Sequence, residues 1–130
     1  MSWKLDESRP IYPQIIDRVK TDIAAGHYLP GHQLPSVRDL ALEAGVNPNT
    51  MQRALAELER SGLVESRRTS GRFITEDEKM IAEMKNALAE ERIRVFLLRM
   101  EELGISREEL IRRISRISEN TQQPKGDSGI

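Results

Sequence analysis

Residues 45–55 read GVNPNTMQRAL. Proline inside a helix removes a hydrogen bond and clashes with the turn before it. At the first helical position it costs almost nothing and presets φ. Pro48, set between Asn47 and Asn49, therefore marks a helix start, with Asn47 as the cap that accepts from the free amides. Helical spacing puts Met51, Ala54, Leu55 and Leu58 on one face. At about 100° per residue, Asn49, Gln52, Arg53 and Ala56 fall opposite, on a face that a core does not use. Gly62 ends the helix.

Upstream, Tyr12, Ile15, Ile16, Val19 and Ile23 recur at helical spacing over about 12–25, and Gly26 supplies a stop. The stretch LPGHQLP, with Pro30, Gly31 and Pro35, forces a turn-rich connection. Ser36 caps a second helix over about 36–44, with Asp39 completing a short capping box and Gly45 closing the C-terminus. Val37, Leu40 and Ala41 point inward from it. Downstream, LVES and RFIT read as two short strands around the basic tip RRTSG. Helix, helix, turn, helix and two-stranded wing make a winged helix-turn-helix over residues 1–75.

Thr75 and Glu78 suggest a capping box that launches a long helix to about Leu103. Ile81, Met84, Leu88, Ile93, Phe96, Leu97, Met100 and Leu103 form its apolar stripe, which drifts around the helix more broadly than a heptad seam. Gly104 ends it. Ser106 and Glu109 box a last helix over about 107–118, carrying Leu110, Ile111, Ile114 and Ile117. Two amphipathic helices over 76–118 cannot close a core alone. A second copy is the economical partner, because a symmetric dimer mirrors a palindromic DNA site. The expected dimer interface is Ile81, Met84, Leu88, Ile93, Phe96, Leu97, Met100, Ile111 and Ile114. The polar, turn-rich tail over 119–130 is expected to be disordered. The fold class is mainly α with a small β-wing, and no internal repeat is visible.

The totals exclude several classes. Charged residues make up 32% of the 130, balanced at a formal −1, so the chain is no non-specific polycation. There is no cysteine, and two histidines, His27 and His32, are too few for a metal cluster. No nucleophile–base pair or phosphate loop points to an enzyme, and no cofactor is expected. No apolar run approaches a membrane span and MSWKLDESRP carries no signal-peptide pattern, so a cytoplasmic protein is expected. Trp3 and Tyr12 read as packing residues.

The helix beginning at Asn47 has the residue types of a recognition helix. Such a helix enters the major groove with its N-terminal residues against base edges. Asn and Gln pair with adenine and Arg with guanine. The wing adds Arg67, Arg68 and Arg72 for phosphates, while Ser70 and Gly71 admit a close backbone approach. Arg38, at the start of the second helix, can reach a phosphate or a base, or merely pair with an acidic neighbour. The rival reading is a winged helix used only as a protein-interaction module, which needs no Asn/Gln/Arg face.

PIYPQI and the run AGHYLPGHQLPSVRDLALEAGVNPNTMQRALAELERSGLVESRRTSGRFI resemble the N-terminal domain of GntR-family bacterial transcriptional regulators. The order and spacing of PG, LPS.R.LA, GV, T and GLV carry the likeness, over about residues 10–74. The resemblance implies a dimeric, operator-binding winged helix. It places DNA contacts at Arg38, Asn47, Pro48, Asn49, Gln52 and the wing around Ser70 and Gly71. Ser36, Thr50, Arg53, Arg67, Arg68 and Arg72 complete the expected surface. NPNT and the short two-helix tail look like the YtrA subfamily, whose members often repress neighbouring transporter operons. The tail is too short for the large ligand-binding domains of other subfamilies, so an effector, if there is one, would sit between protomers. In two places the chain departs from its relatives: Gln52 stands where many carry arginine, and Thr69 replaces a common wing glycine.

Overall fold

The computed structural model describes residues 3–68 and 70–121. The expectation for the tail beyond Thr121, and Thr69 at the wing tip, lie outside the described residues. Five helices and one two-stranded sheet follow in the order α1 (Ile11–Ala24), α2 (Val37–Ala44), α3 (Pro48–Ser61), β1 (Val64–Arg67), β2 (Gly71–Ile74), α4 (Glu78–Glu102) and α5 (Arg107–Thr121). They form two compact units, one reaching Leu88 and the other starting at Ala89.

The first unit is built on local signals. Ser36 Oγ accepts from the Asp39 amide at 3.0 Å, and Gly45 closes α2 in the left-handed region. Asn47 Oδ1 accepts from the Asn49 amide at 2.7 Å, with Pro48 as the first helical residue. Between these helices only Gly45, Val46 and Asn47 remain, so α2 and α3 are joined by a tight turn. Ile15, Val19, Leu40, Met51, Leu55, Leu58, Val64 and Ile74 are fully buried between α1, α2, α3 and the sheet. Burial of each such side chain contributes about 1.5–3 kcal/mol. Trp3 joins this core, its indole N–H donating to Glu43 at 3.3 Å and the Arg18 guanidinium lying 4.6 Å from its ring. His27 Nδ1 stands 3.2 Å from Asp22 Oδ1, at the turn after α1.

β1 and β2 pair antiparallel, Val64 opposite Ile74 and Arg67 opposite Gly71. The segment between Gly31 and Leu34, expected only to turn, also lines the free edge of β2. Gly31 donates to the Ile74 carbonyl at 2.9 Å, Ile74 to that of His32 at 2.9 Å and Leu34 to that of Arg72 at 2.8 Å. The two flanking prolines keep it too short to read as a strand. This third edge satisfies backbone groups of β2 and anchors the wing to the start of α2.

The start of α4 differs from the expected capping box. Thr75 is buried, and its amide donates to the Leu63 carbonyl at 2.9 Å, so Thr75 still belongs to the base of the wing. Its hydroxyl accepts from the Asp77 amide at 3.1 Å, and Asp77 Oδ1 accepts from the Met80 amide at 3.1 Å. Asp77, not Thr75, is the cap. The helix then keeps returning to the winged core: Met80, Ile81 and Met84 pack against it. That packing carries the first unit past the boundary read after Thr75. It also covers part of Ile81 and Met84, two side chains assigned to a partner from the sequence.

In the second unit, the Schellman turn at Gly104 ends α4, with the Ile105 amide donating to the Met100 carbonyl at 3.3 Å. Ser106 Oγ caps α5, accepting from the Glu109 amide at 3.2 Å. The helix runs on to Thr121, past the expected end near residue 118, and Glu109 pairs with Arg113 at 2.7 Å along it. Leu110 is buried, while Leu97, Met100 and Ile105 are half-buried. Ile93, Phe96, Ile111, Ile114 and Ile117 remain exposed, Ile111 at 60%.

Candidate nucleic-acid interface

Asn47, Pro48, Asn49, Gln52 and Arg53 all lie exposed on α3 or its cap, and Thr50 is half-buried beside them. The opposite face is consumed by Met51, Ala54, Leu55 and Leu58. Ser36 and Arg38 are exposed at the start of α2. Arg38 and Arg68 have no ion pair among the described residues. Arg53 is not wholly free: its guanidinium lies 4.6 Å from the Tyr12 ring centroid, steadied from α1 by a cation–π contact.

The three wing arginines differ. Arg68 is exposed in the turn, which closes with the Ser70 amide donating to the Arg67 carbonyl at 2.6 Å. Arg67 is exposed but lies over Phe73, 4.1 Å from the ring centroid. Arg72 turns back toward α3. Its Nε donates to Glu59 Oε1 at 3.0 Å and its Nη1 to Gln52 Oε1 at 3.4 Å. Only 17% of its side chain remains accessible. Glu59 also accepts from the Ser66 hydroxyl, so one carboxylate ties both wing strands to α3. Those bonds, Ser66 first and then Arg72, hold the Glu59 carboxyl below its ordinary value of 4.5.

The wing tip has a second tie. The Gln33 side-chain amide donates to the Ser70 carbonyl. A Cβ on Gly71, whose φ is +101°, would stand 2.8 Å from Gln33 Nε2. The positive φ favours glycine there, and a Cβ would also push the end of the Gln33 side chain aside. Gln33 and Glu59 were not singled out from the sequence. Glu59 could have been, since it follows Gln52 by two helical turns on the same face. Gln33 gives no local signal, because its role depends on a residue far along the chain.

An exposed helix start with amides and a guanidinium, braced against a basic hairpin, defines a winged-helix nucleic-acid-binding domain. The model for bacterial regulatory proteins of the gntR family matches residues 11–74. The chain is 41% identical over 119 residues to the uncharacterized HTH-type transcriptional regulator YhcF of Bacillus subtilis, covering 92% of this chain and 98% of that protein. It is 37% identical over 119 residues to the HTH-type transcriptional repressor YtrA of the same species, covering 91% and 92%. A GntR family transcriptional regulator from Listeria monocytogenes superposes with a TM-score of 0.80 at 39% identity, over 86% of this chain and 98% of that one. The DNA-binding domain of AraR in complex with operator ORX1 is similar at a TM-score of 0.50 and 28% identity, over 58% and 92%. The chain belongs to the GntR family, and is a DNA-binding transcriptional regulator and not an enzyme. Among the described residues no helix is long and apolar enough to cross a membrane.

Proposed function

We propose that the chain is a cytoplasmic, homodimeric repressor that reads a palindromic operator and controls a nearby operon. The observation that carries this reading is the exposed Asn49, Gln52 and Arg53 face of α3, beside an exposed Arg68 at the wing tip. In each half-site α3 enters the major groove and the wing follows the backbone. Asn49, Gln52 and Arg53 meet base edges. Arg38, Arg67, Arg68 and the amides near Ser70 and Gly71 meet phosphates. Thr50, Ser36, Asn47 and Pro48 shape the approach.

The dimer is formed by the apolar residues that α4 and α5 leave uncovered. Phe96, Ile93, Ile111 and Ile114 are the centre of the contact, with Leu97, Met100 and Leu88 at its margins. The similarity to a protein named a transcriptional repressor supports repression over activation. Bound across its operator, the dimer excludes other proteins from that stretch of DNA.

Selection of bound duplexes from a random pool tests this. The expected product is an inverted repeat with half-sites about 10 base pairs apart, or a multiple of that. A pool that shows no enriched sequence would contradict it and favour a protein-interaction module.

A further inference from the structure

Gln52, on the recognition face, meets a residue of the wing inside the protein. Arg72 Nη1 lies 3.4 Å from Gln52 Oε1, and Arg72 Nε is held 3.0 Å from Glu59 Oε1. Gln52 and Glu59 are seven residues apart, so they stand on one face of α3 about 10 Å apart along its axis. The Gln52 and Glu59 side chains converge on the one Arg72 guanidinium between them. The Ser66 hydroxyl secures the other oxygen of Glu59.

The chemistry of the chain of contacts is directional. A guanidinium has five N–H donors and no acceptor. Gln52 can therefore meet Arg72 only through its carbonyl oxygen, whichever way the amide would otherwise turn. Its NH2 group is left to face outward with two N–H donors. Glutamine reads adenine by a pair of bonds, accepting from N6 and donating to N7. That pair needs the carbonyl turned outward beside the NH2 group, and the Arg72 bond turns it toward the wing instead. Guanine offers O6 and N7, two acceptors side by side. An outward NH2 group suits guanine and does not suit the adenine pair.

We propose that Glu59 and Arg72 are positioning residues that set the base preference of Gln52, turning its amide so that the NH2 group faces the base and guanine is selected over adenine. Arg72 accordingly acts inside the protein and not as a phosphate contact. The inference rests on the reading that α3 meets base edges in the major groove.

Random-pool selection with the full chain tests it, using wild type, Gln52→Ala, Arg72→Met and Glu59→Gln. Gln52→Ala identifies the base pair that Gln52 meets, as the one position per half-site whose preference relaxes. Wild type is expected to show guanine there, favoured over adenine by roughly 5- to 100-fold. Arg72→Met frees the carbonyl, and the letter at that position should move toward adenine while the others stay. Glu59→Gln, which keeps the shape of the side chain, should move it the same way but less far, and guards against a misfolded Arg72 variant. Adenine at that position in wild type would overturn the proposal. So would a letter unchanged in both Arg72→Met and Glu59→Gln. A wild-type pool with no enriched sequence would overturn the DNA reading itself, and the proposal with it.

Discussion

Arg67, Arg68 and Arg72 look equivalent in RRTSGR, yet their surroundings divide them. Arg72 is folded against Glu59, Arg67 rests on Phe73, and Arg68 is exposed without an ion pair among the described residues. Arg68→Ala is therefore expected to weaken specific and non-specific duplexes about equally and to lower the salt slope by about one unit. A loss confined to one sequence would mean that Arg68 reads bases. Asn49→Ala and Arg53→Ala should each cost roughly 1–3 kcal/mol on the selected operator. Unchanged affinity in both, measured by fluorescence anisotropy, would remove α3 from the interface. Glu59 adds a pH dependence. Its folded value is lowered, so its contribution to stability is full above its ordinary value of 4.5 and is lost as pH falls through the lowered one. Acid unfolding curves should show a shallower slope below pH 4.5 for Glu59→Gln than for wild type. Parallel curves would mean that the Ser66 and Arg72 bonds do not persist in solution.

At the scale of elements, legibility followed locality. Caps within four residues were readable: Ser36 to Asp39, Asn47 to Asn49 and Ser106 to Glu109 all appear as hydrogen bonds. The buried face of α3 was equally plain, since 3.6-residue periodicity needs no knowledge of the partner. The failures were non-local. Thr75 has a capping pattern in sequence, but its amide is claimed by Leu63 across the wing. The strand-like edge from Gly31 to Leu34 exists only because β2 lies beside it. Of the candidate interface, residue types and exposure could be read from the chain. The Glu59–Arg72–Gln52 link could not, because it joins two elements. The joint between α3 and the wing is also sensitive to shape. Gly62 has φ +92°, and a Cβ there would stand 3.3 Å from Met80 Cε. Gly62→Ala should destabilise the first unit by about 1 kcal/mol or more, since both the backbone and Met80 must adjust. Chemical denaturation checks this, and a variant as stable as wild type would show that the joint yields freely.

For the whole molecule, the question is what covers α4 and α5. The first unit has its own core and takes in Met80, Ile81 and Met84. Beyond Ala89, Leu110 is the buried hydrophobic side chain among the described residues, while Phe96 stays 41% exposed. Phe96→Glu would place an unpaired carboxylate in the proposed contact, at a cost that favours monomers. That variant should sediment as a monomer with an unchanged first unit, and should lose affinity for a two-half-site duplex far more than for a single half-site. Joining two half-site contacts in one molecule raises avidity by about 10²–10⁴-fold. In the proposed assembly two copies of α3, carried by one dimer, read one palindrome. Sedimentation of the wild-type protein with a selected palindromic duplex measures that directly. Two protomers per duplex are expected, with no build-up of a one-protomer complex at limiting protein. A single protomer that occupies the palindrome as tightly as the full complement would contradict it.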